Sequence, residues 1–338
     1  MSAQSVHKNG VAMDLRSGAR TRRAIPTAAL LAAALSLPLT TGRTGSGAGS
    51  GRHDTPAPPP SASAAPGRSP LAVEIDNVTA ARPATGLDAA DVVYAEQVEG
   101  GLSRLMAVYA TRLPKTVGPV RSARESDLEL LRQFARPTLA FSGAQRRLLP
   151  LVDGAPLRAE PPERAPGAYV RDTARAAPHN LYPHPAELLP TAPGEQALTT
   201  GFRYGPAPAG GTPTASSTVR YPAARFTFTW SAGRAGRLVT MDGTPAVTTD
   251  GGRLAPPTVV VQYVTVRESG YHDVLGNPTP YTGTVGSGRA RVLRDGRSFD
   301  ATWSRPAATD GTTFTTAAGS PLDFAKGQVR VVFAAAPD

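Results

Sequence analysis

The chain has 338 residues, enough for two domains with a core each, and it contains no cysteine. Disulfides, thiolate metal sites and a thiol nucleophile are therefore excluded. Its formal charge of +10 is concentrated at the start: residues 1–43 hold Lys8, Arg16, Arg20, Arg22, Arg23 and Arg43 against Asp14, and beyond them the excess is five, spread along the chain. That pattern fits solubility or attraction to an anionic surface and lacks the stripe of a nucleic-acid binder.

In chain order, a basic segment from Arg16 to Arg23 precedes the apolar run Ala24–Leu39, the layout of an export signal over residues 1–42. The run is interrupted by Pro26 and Pro38 and falls short of the ~20 residues of a membrane span. Thr40-Thr41-Gly42 offers small residues for cleavage, Arg22-Arg23 is a loose twin-arginine match, and Met13 is an alternative start to Met1. Residues 43–70 are mostly Gly, Ser, Ala and Pro with almost no large apolar side chain, and are expected to be a disordered tether. Export is the expectation, with membrane contact only through an uncleaved leader.

Residues 71–195 are expected to form an N-terminal α/β sheet-and-helix module. Leu71–Ile75 is a strand, and Asp91–Val98 and Leu102–Ala110 are two more, joined by Gly100-Gly101 as a two-residue turn. Both faces of Leu102–Ala110 are apolar, which predicts helices against the sheet. Ser122 and Glu125 have capping-box spacing for a helix over Ala123–Ala135, with Leu128, Leu131 and Phe134 on one face. A strand follows at Thr138–Ser142, and Pro150–Pro190 is loop-rich. Residues 196–220 are a Pro/Gly/Thr linker. Residues 221–338 predict a small, mostly antiparallel β module with strands at Arg225–Trp230, Leu238–Met241, Thr258–Val266, Arg289–Arg294, Ser298–Ser304 and Gln328–Phe333, and a hairpin turn at Asp295-Gly296. The expected fold class is α+β with two domains.

The candidate site centres on Val117–Glu125, where Arg121 and Arg124 flank a helix start. A helix N-terminus is already positive, so an arginine there needs a negative partner. Two readings stand open: the arginines pair with Glu96, Glu99 or Asp76, or they join free N–H groups at Ser122–Glu125 to receive a phosphate or carboxylate. Asp76 and Asn77 end a strand, and Arg82 follows. Arg104 shares a face with Gln97 and Glu99 if the glycines make a two-residue turn, and Glu96 and Glu99 then point to opposite faces. Arg175, His179 and Asn180 add a polar loop. The His179/His184 spacing outside a helix is no metal signature. Ser142-Gly143 lacks a nucleophile elbow, and Thr284–Gly288 precedes a strand, so it reads as a turn and not a phosphate loop. Arg289, Arg291, Arg294 and Arg297 are expected to face solvent.

Several ordered motifs resemble the YerB-like family: Ile75-Asp76-Asn77, Ala81-Arg82-Pro83, Gly86-Leu87, Ala90-Asp91-Val92-Val93-Tyr94, Val98–Arg104 and Val117–Arg124, then Arg171-Asp172 and Ala177-Pro178-His179-Asn180-Leu181-Tyr182. Val261-Gln262, Thr284–Gly288, Gly296 and Thr302-Trp303-Ser304 resemble its C-terminal module, so the likeness covers roughly residues 70–338. It implies a two-module extracytoplasmic bacterial protein of unassigned activity. Relatives commonly carry a lipidated cysteine after the signal, and this sequence offers none.

The functional expectation is a cell-envelope protein that binds an anionic small molecule or envelope component. The alternative is a phosphoryl-transfer or hydrolytic enzyme acting on a phosphorylated envelope intermediate, for which Asp76 with Arg121 and Arg124 loosely resembles the acid and arginines of LytR-CpsA-Psr ligases. No cofactor is expected, a divalent cation only under the enzyme reading, and no nucleic-acid partner. No residue can be assigned as catalytic from the sequence.

Overall fold

A computed structural model of the chain describes residues 69–273 and 275–337. The expected leader and nearly all of the expected tether lie outside the described residues. No helix among the described residues is long and apolar enough to cross a membrane.

The first segment contains β1 (Leu71–Asp76), β2 (Val92–Gln97), β3 (Ser103–Tyr109), α1 (Glu125–Leu131), β4 (Thr138–Ala140), α2 (Leu149–Gly154), β5 (Arg158–Ala159), the hairpin β6 (Tyr169–Arg171) and β7 (Leu181–Pro183), and α3 (Pro185–Leu188). Then come β8 (Thr212–Pro213), β9 (Ser216–Tyr221), β10 (Ala224–Ser231), β11 (Gly236–Met241), β12 (Thr244–Pro245), β13 (Thr258–Val264), the hairpin β14 (Val266–His272) and β15 (Pro278–Thr282), and finally β16 (Gly286–Arg294), β17 (Arg297–Arg305), β18 (Thr313–Thr315) and β19 (Val329–Ala335).

Strands from both segments share one sheet in the order β18-β17-β16-β13-β19-β2-β3-β1-β4-β5, with β8 added beside β17. The seam is β19, which runs parallel to β13 on one side and to β2 on the other. Its Val-Arg-Val-Val-Phe run is buried throughout, as a central strand covered on both faces requires. The two segments accordingly lie in one compact unit. β9 begins at Ser216, inside the stretch expected to be a linker.

The sheet has two apolar faces, and they are covered differently. Val73, Ile75, Val93, Ala95, Leu105 and Ala107 pack with Phe226, Phe228 and Val239 of a second sheet ordered β12-β11-β10-β9. In β10, Phe226 and Phe228 are buried while Arg225 and Thr229 are exposed, the alternation of a sheet with one wet face. Burying each phenylalanine contributes about 1.5–3 kcal/mol. The opposite face carries Ala72, Tyr94, Met106 and Val108 against Leu130, Leu131 and Phe134. Helices were expected against the sheet; one cover is the four-stranded sheet, because β9–β12 supply a second apolar face of matching kind.

Three further local expectations are corrected. The helix spans Glu125–Leu131, with Arg124 at its N-cap and the capping box formed with Asp127, two residues later than Ser122 and Glu125. Gly100 and Gly101, at φ 66° and 71°, lie in a 3₁₀ turn over Glu99–Gly101, so the β2–β3 connection is longer than two residues. Arg294 is buried: it pairs with Asp295 at 2.8 Å and donates to the carbonyls of Gly205 and Asp323, while Arg289, Arg291 and Arg297 are exposed. The Asp295-Gly296 turn joins β16 and β17 with Arg294 opposite Arg297, and both turn residues have positive φ, 49° and 73°.

Candidate functional site

The site is assembled on one end of β1. β4 pairs with Leu71–Val73 and stops; the strip Pro119–Arg121 takes its place beside Glu74–Asp76. The Asp76 N–H donates to the Pro119 carbonyl at 2.9 Å, the Arg121 N–H donates to the Glu74 carbonyl at 2.9 Å, and Val120 bridges Ile75. This brings Arg121 beside Asp76, with Nε 3.1 Å from Oδ2.

Strand alternation decides the rest. Glu74 and Asp76 project from β1 to the α1 side of the sheet, since Val73 and Ile75 belong to the opposite core. The ladder sets Asp76 and Glu96 opposite Arg104 on its two flanks, so all four share that face. Arg104 was expected beside Gln97 and Glu99; the longer turn shifts the register and places it across from Glu96 instead. Asp127 and Ser126, in the first turn of α1, close over this acidic face.

Asp76 is 2% exposed and is shared: His179 Nδ1 lies 2.8 Å from the same Oδ2 that faces Arg121. His179 reaches it from the β6–β7 loop, which is braced by Arg171 donating to Asn180 Oδ1 at 2.9 Å and by the Asn180 amide donating to the Arg175 carbonyl. Arg175 clamps the carbonyls of Ala81 and Pro83, both at 2.9 Å. A carboxylate facing Arg121 accepts, so Nδ1 of His179 carries the hydrogen, and in the neutral ring Nε2 is the acceptor.

Arg124 is committed inside the protein. Its Nε and Nη2 meet the two oxygens of Glu99 at 2.7 Å each, and Nη1 donates to the Ser122 and Ala123 carbonyls. Thr279 of β15 adds a hydroxyl to Glu99 at 2.6 Å. Burial works to raise the Glu99 carboxyl, but the Arg124 hydrogen bonds outweigh it and hold the group below its ordinary value. Arg104 donates to the Ser122 carbonyl at 2.9 Å, and its own Nε is buried without a partner. Burial, and after it Arg124, pulls the Arg104 guanidinium below its usual value.

Of the N–H groups at Ser122–Glu125, those of Ala123 and Arg124 are taken by the Gly143 carbonyl and the Asp127 carboxylate, and the Arg121 N–H before them by the Glu74 carbonyl. What the structure offers is a cleft of about 390 Å³ between this face and the β14–β15 hairpin. Asp76, Glu99, Arg104, Arg121, Ser122 and Arg124 are on its wall, joined by Tyr271 and His272, which carry no motif that would single them out. Arg121 is the arginine with capacity to spare: its side chain is 32% exposed and donates no hydrogen bond to any described residue.

The other candidates fall elsewhere. Asn77 donates to Ser103 Oγ at 2.8 Å and accepts from Arg82, which also pairs with Asp242 at 2.8 Å. Both border a separate cavity of about 190 Å³ that is lined mainly by apolar groups. Glu96 is inside the protein in a cluster with Glu74 and Asp127, one oxygen of each lying within 4.8 Å of the others. Glu74 and Asp127 carried no visible signal: one alternates inside an apolar strand, and the other reads as an ordinary acid in a helix first turn.

Two sequence families match the chain, "Protein of unknown function (DUF3048) N-terminal domain" over residues 57–198 and "Protein of unknown function (DUF3048) C-terminal domain" over residues 217–331. A curated relative, "Putative lipoprotein YerB" of Bacillus subtilis, is 45% identical over 67 residues. That match spans 20% of this chain and 20% of the relative's length. The crystal structure of the YerB protein from Bacillus subtilis superposes with a TM-score of 0.65 at 18% identity, covering 79% of this chain and 90% of that one, a likeness of fold.

Proposed function

Because the chain belongs to the two-module YerB-like DUF3048 family, we infer that it is an extracytoplasmic envelope protein that holds a small anionic ligand, or the anionic group of an envelope component, against Arg121. The basic leader and the lipoprotein named among its relatives support an exported location.

The observation that carries the reading is the contrast between the arginines. Arg124 spends its donors on Glu99 and two carbonyls. Arg121 faces Asp76 through Nε, keeps its guanidinium edge uncommitted, and lies on the cleft wall. A planar guanidinium with free paired N–H groups suits phosphate or carboxylate.

Calorimetric titration of the full chain with inorganic phosphate, and separately with acetate, tests this. Binding of either that is lost in Arg121→Ala and retained in Arg289→Ala supports it. No binding by the wild type, or equal binding by Arg121→Ala, refutes it.

One observation favours a hydrolytic reading as the second choice. Asp76 orients His179 so that Nε2 is available as a base near Arg121. Hydrolysis of p-nitrophenyl phosphate that disappears in His179→Ala is its expected signature, and phosphate binding without turnover is the result against it.

A further inference from the structure

Glu74, Glu96 and Asp127 come from β1, β2 and α1, are between 0% and 5% exposed, and lie outside the cleft wall. Two of them are oriented from one side only. Ser126 Oγ donates to Glu96 Oε2 at 3.0 Å, leaving Oε1 buried with no partner. The Arg124 backbone N–H donates to Asp127 Oδ2, leaving Oδ1 buried with no partner. Both oxygens of Glu74 are buried and unpartnered. Donors thus hold one oxygen of Glu96 and one of Asp127, and the three carboxyls otherwise adjoin one another, Glu74 beside Asp127 and Asp127 beside Glu96.

Charge makes the same point. Arg124 is matched by Glu99, and Arg121 by Asp76. Counting Glu74, Asp76, Glu96, Glu99 and Asp127 against Arg104, Arg121 and Arg124 leaves an excess of two negative charges when all are ionised. A buried excess of that size is untenable without protons or a cation.

We propose that Glu74, Glu96 and Asp127 form a site for one hard divalent cation, of the calcium, magnesium or manganese class. Oxygen-only ligands select that class. The spacing, ligand oxygens within 4.8 Å of one another, fits bonds of about 2.1–2.4 Å to a shared centre. Ser126 and the Arg124 N–H act as the outer hydrogen bonds that orient metal ligands. This rests on the buried face and is independent of the Arg121 reading, so each can fail without the other.

The test uses the full chain, dialysed against chelator and then titrated calorimetrically with Ca²⁺, Mg²⁺ and Mn²⁺ near pH 8, with bound metal counted by elemental analysis. One ion per chain is expected, with tighter binding as pH rises because carboxyl protons must leave. Glu74→Gln and Asp127→Asn should weaken binding at least tenfold, and Asp300→Asn, an exposed acid, should not. If either isosteric variant is unfolded by circular dichroism, Ser126→Ala decides, since it keeps every charge and should weaken binding about tenfold. No ion bound by the wild type, or unchanged binding in the folded variants, overturns the proposal.

Discussion

Replacing Glu74 by Gln should reduce the loss of stability that alkaline pH causes in the metal-free protein. Burial, and next the neighbouring Glu96, pushes the Glu74 carboxyl up from its ordinary 4.5 to about 8. Between those values the folded chain keeps a proton that the unfolded chain releases, so stability falls as pH rises. The slope is about 1.4 kcal/mol per pH unit for one proton, with an upper limit of about 5 kcal/mol over the window. The contribution is intact below the unfolded value and gone above pH 8. Glu96 and Asp127, also raised by burial and next by Asp127 and Glu74 respectively, act with the same sign. Glu99 and Glu129, held below their ordinary values, weigh in only at more acid pH. Glu74→Gln keeps the shape and removes the charge. Urea denaturation in chelator at four pH values from about 5 to 8 should show the wild type losing stability and the variant losing less, by about one proton's slope. At pH 8 the variant should be the more stable, by up to about 5 kcal/mol, and at pH 5 the two should agree within ~1 kcal/mol. A flat wild-type profile, or a variant less stable at pH 8, would refute the reasoning.

Three other outcomes follow from the packing. Arg124→Ala strips Glu99 of its two-point partner and should cost about 3–5 kcal/mol in denaturant titration, while leaving Thr279 as a side-chain donor. Arg330 in β19 is wholly buried, has none of its three side-chain nitrogens partnered and is lowered to about 10 by burial; Arg330→Met should stabilise the chain by at least ~1 kcal/mol, read as a higher denaturation midpoint. Gly100 and Gly101 share a left-handed conformation, but a Cβ at Gly101 would lie 2.5 Å from the Pro222 side chain and one at Gly100 meets nothing. Gly101→Ala should therefore exceed Gly100→Ala in cost by about 1–3 kcal/mol, with Gly100→Ala itself costing about 1–2 kcal/mol; equal costs would remove the clash as a cause.

The strands were legible because apolar alternation and Val-rich runs are local properties. Arg225–Trp230 and Ser298–Ser304 fall inside β10 and β17, and the Asp-Gly turn sits where its positive φ values are needed. Strand order was not legible, since nothing in Val329–Ala335 says that it inserts between β13 and β2 from a distant part of the chain. Arg104 was placed wrongly because adjacent glycines suit a two-residue turn and a 3₁₀ turn alike, and one step in register exchanges faces. Acids near Arg121 and Arg124 were open to naming as partners, and Asp76 and Glu99 stand there. Glu74 and Asp127 were not, because their proximity exists only once β1, β2 and α1 are packed together.

The most direct test of the cleft is a crystal structure of the protein grown with inorganic phosphate. The account predicts a phosphate ion in the cleft with its oxygens on the free edge of the Arg121 guanidinium, and Arg124 still joined to Glu99. A cleft without phosphate, or a phosphate held there by residues other than Arg121, would contradict it.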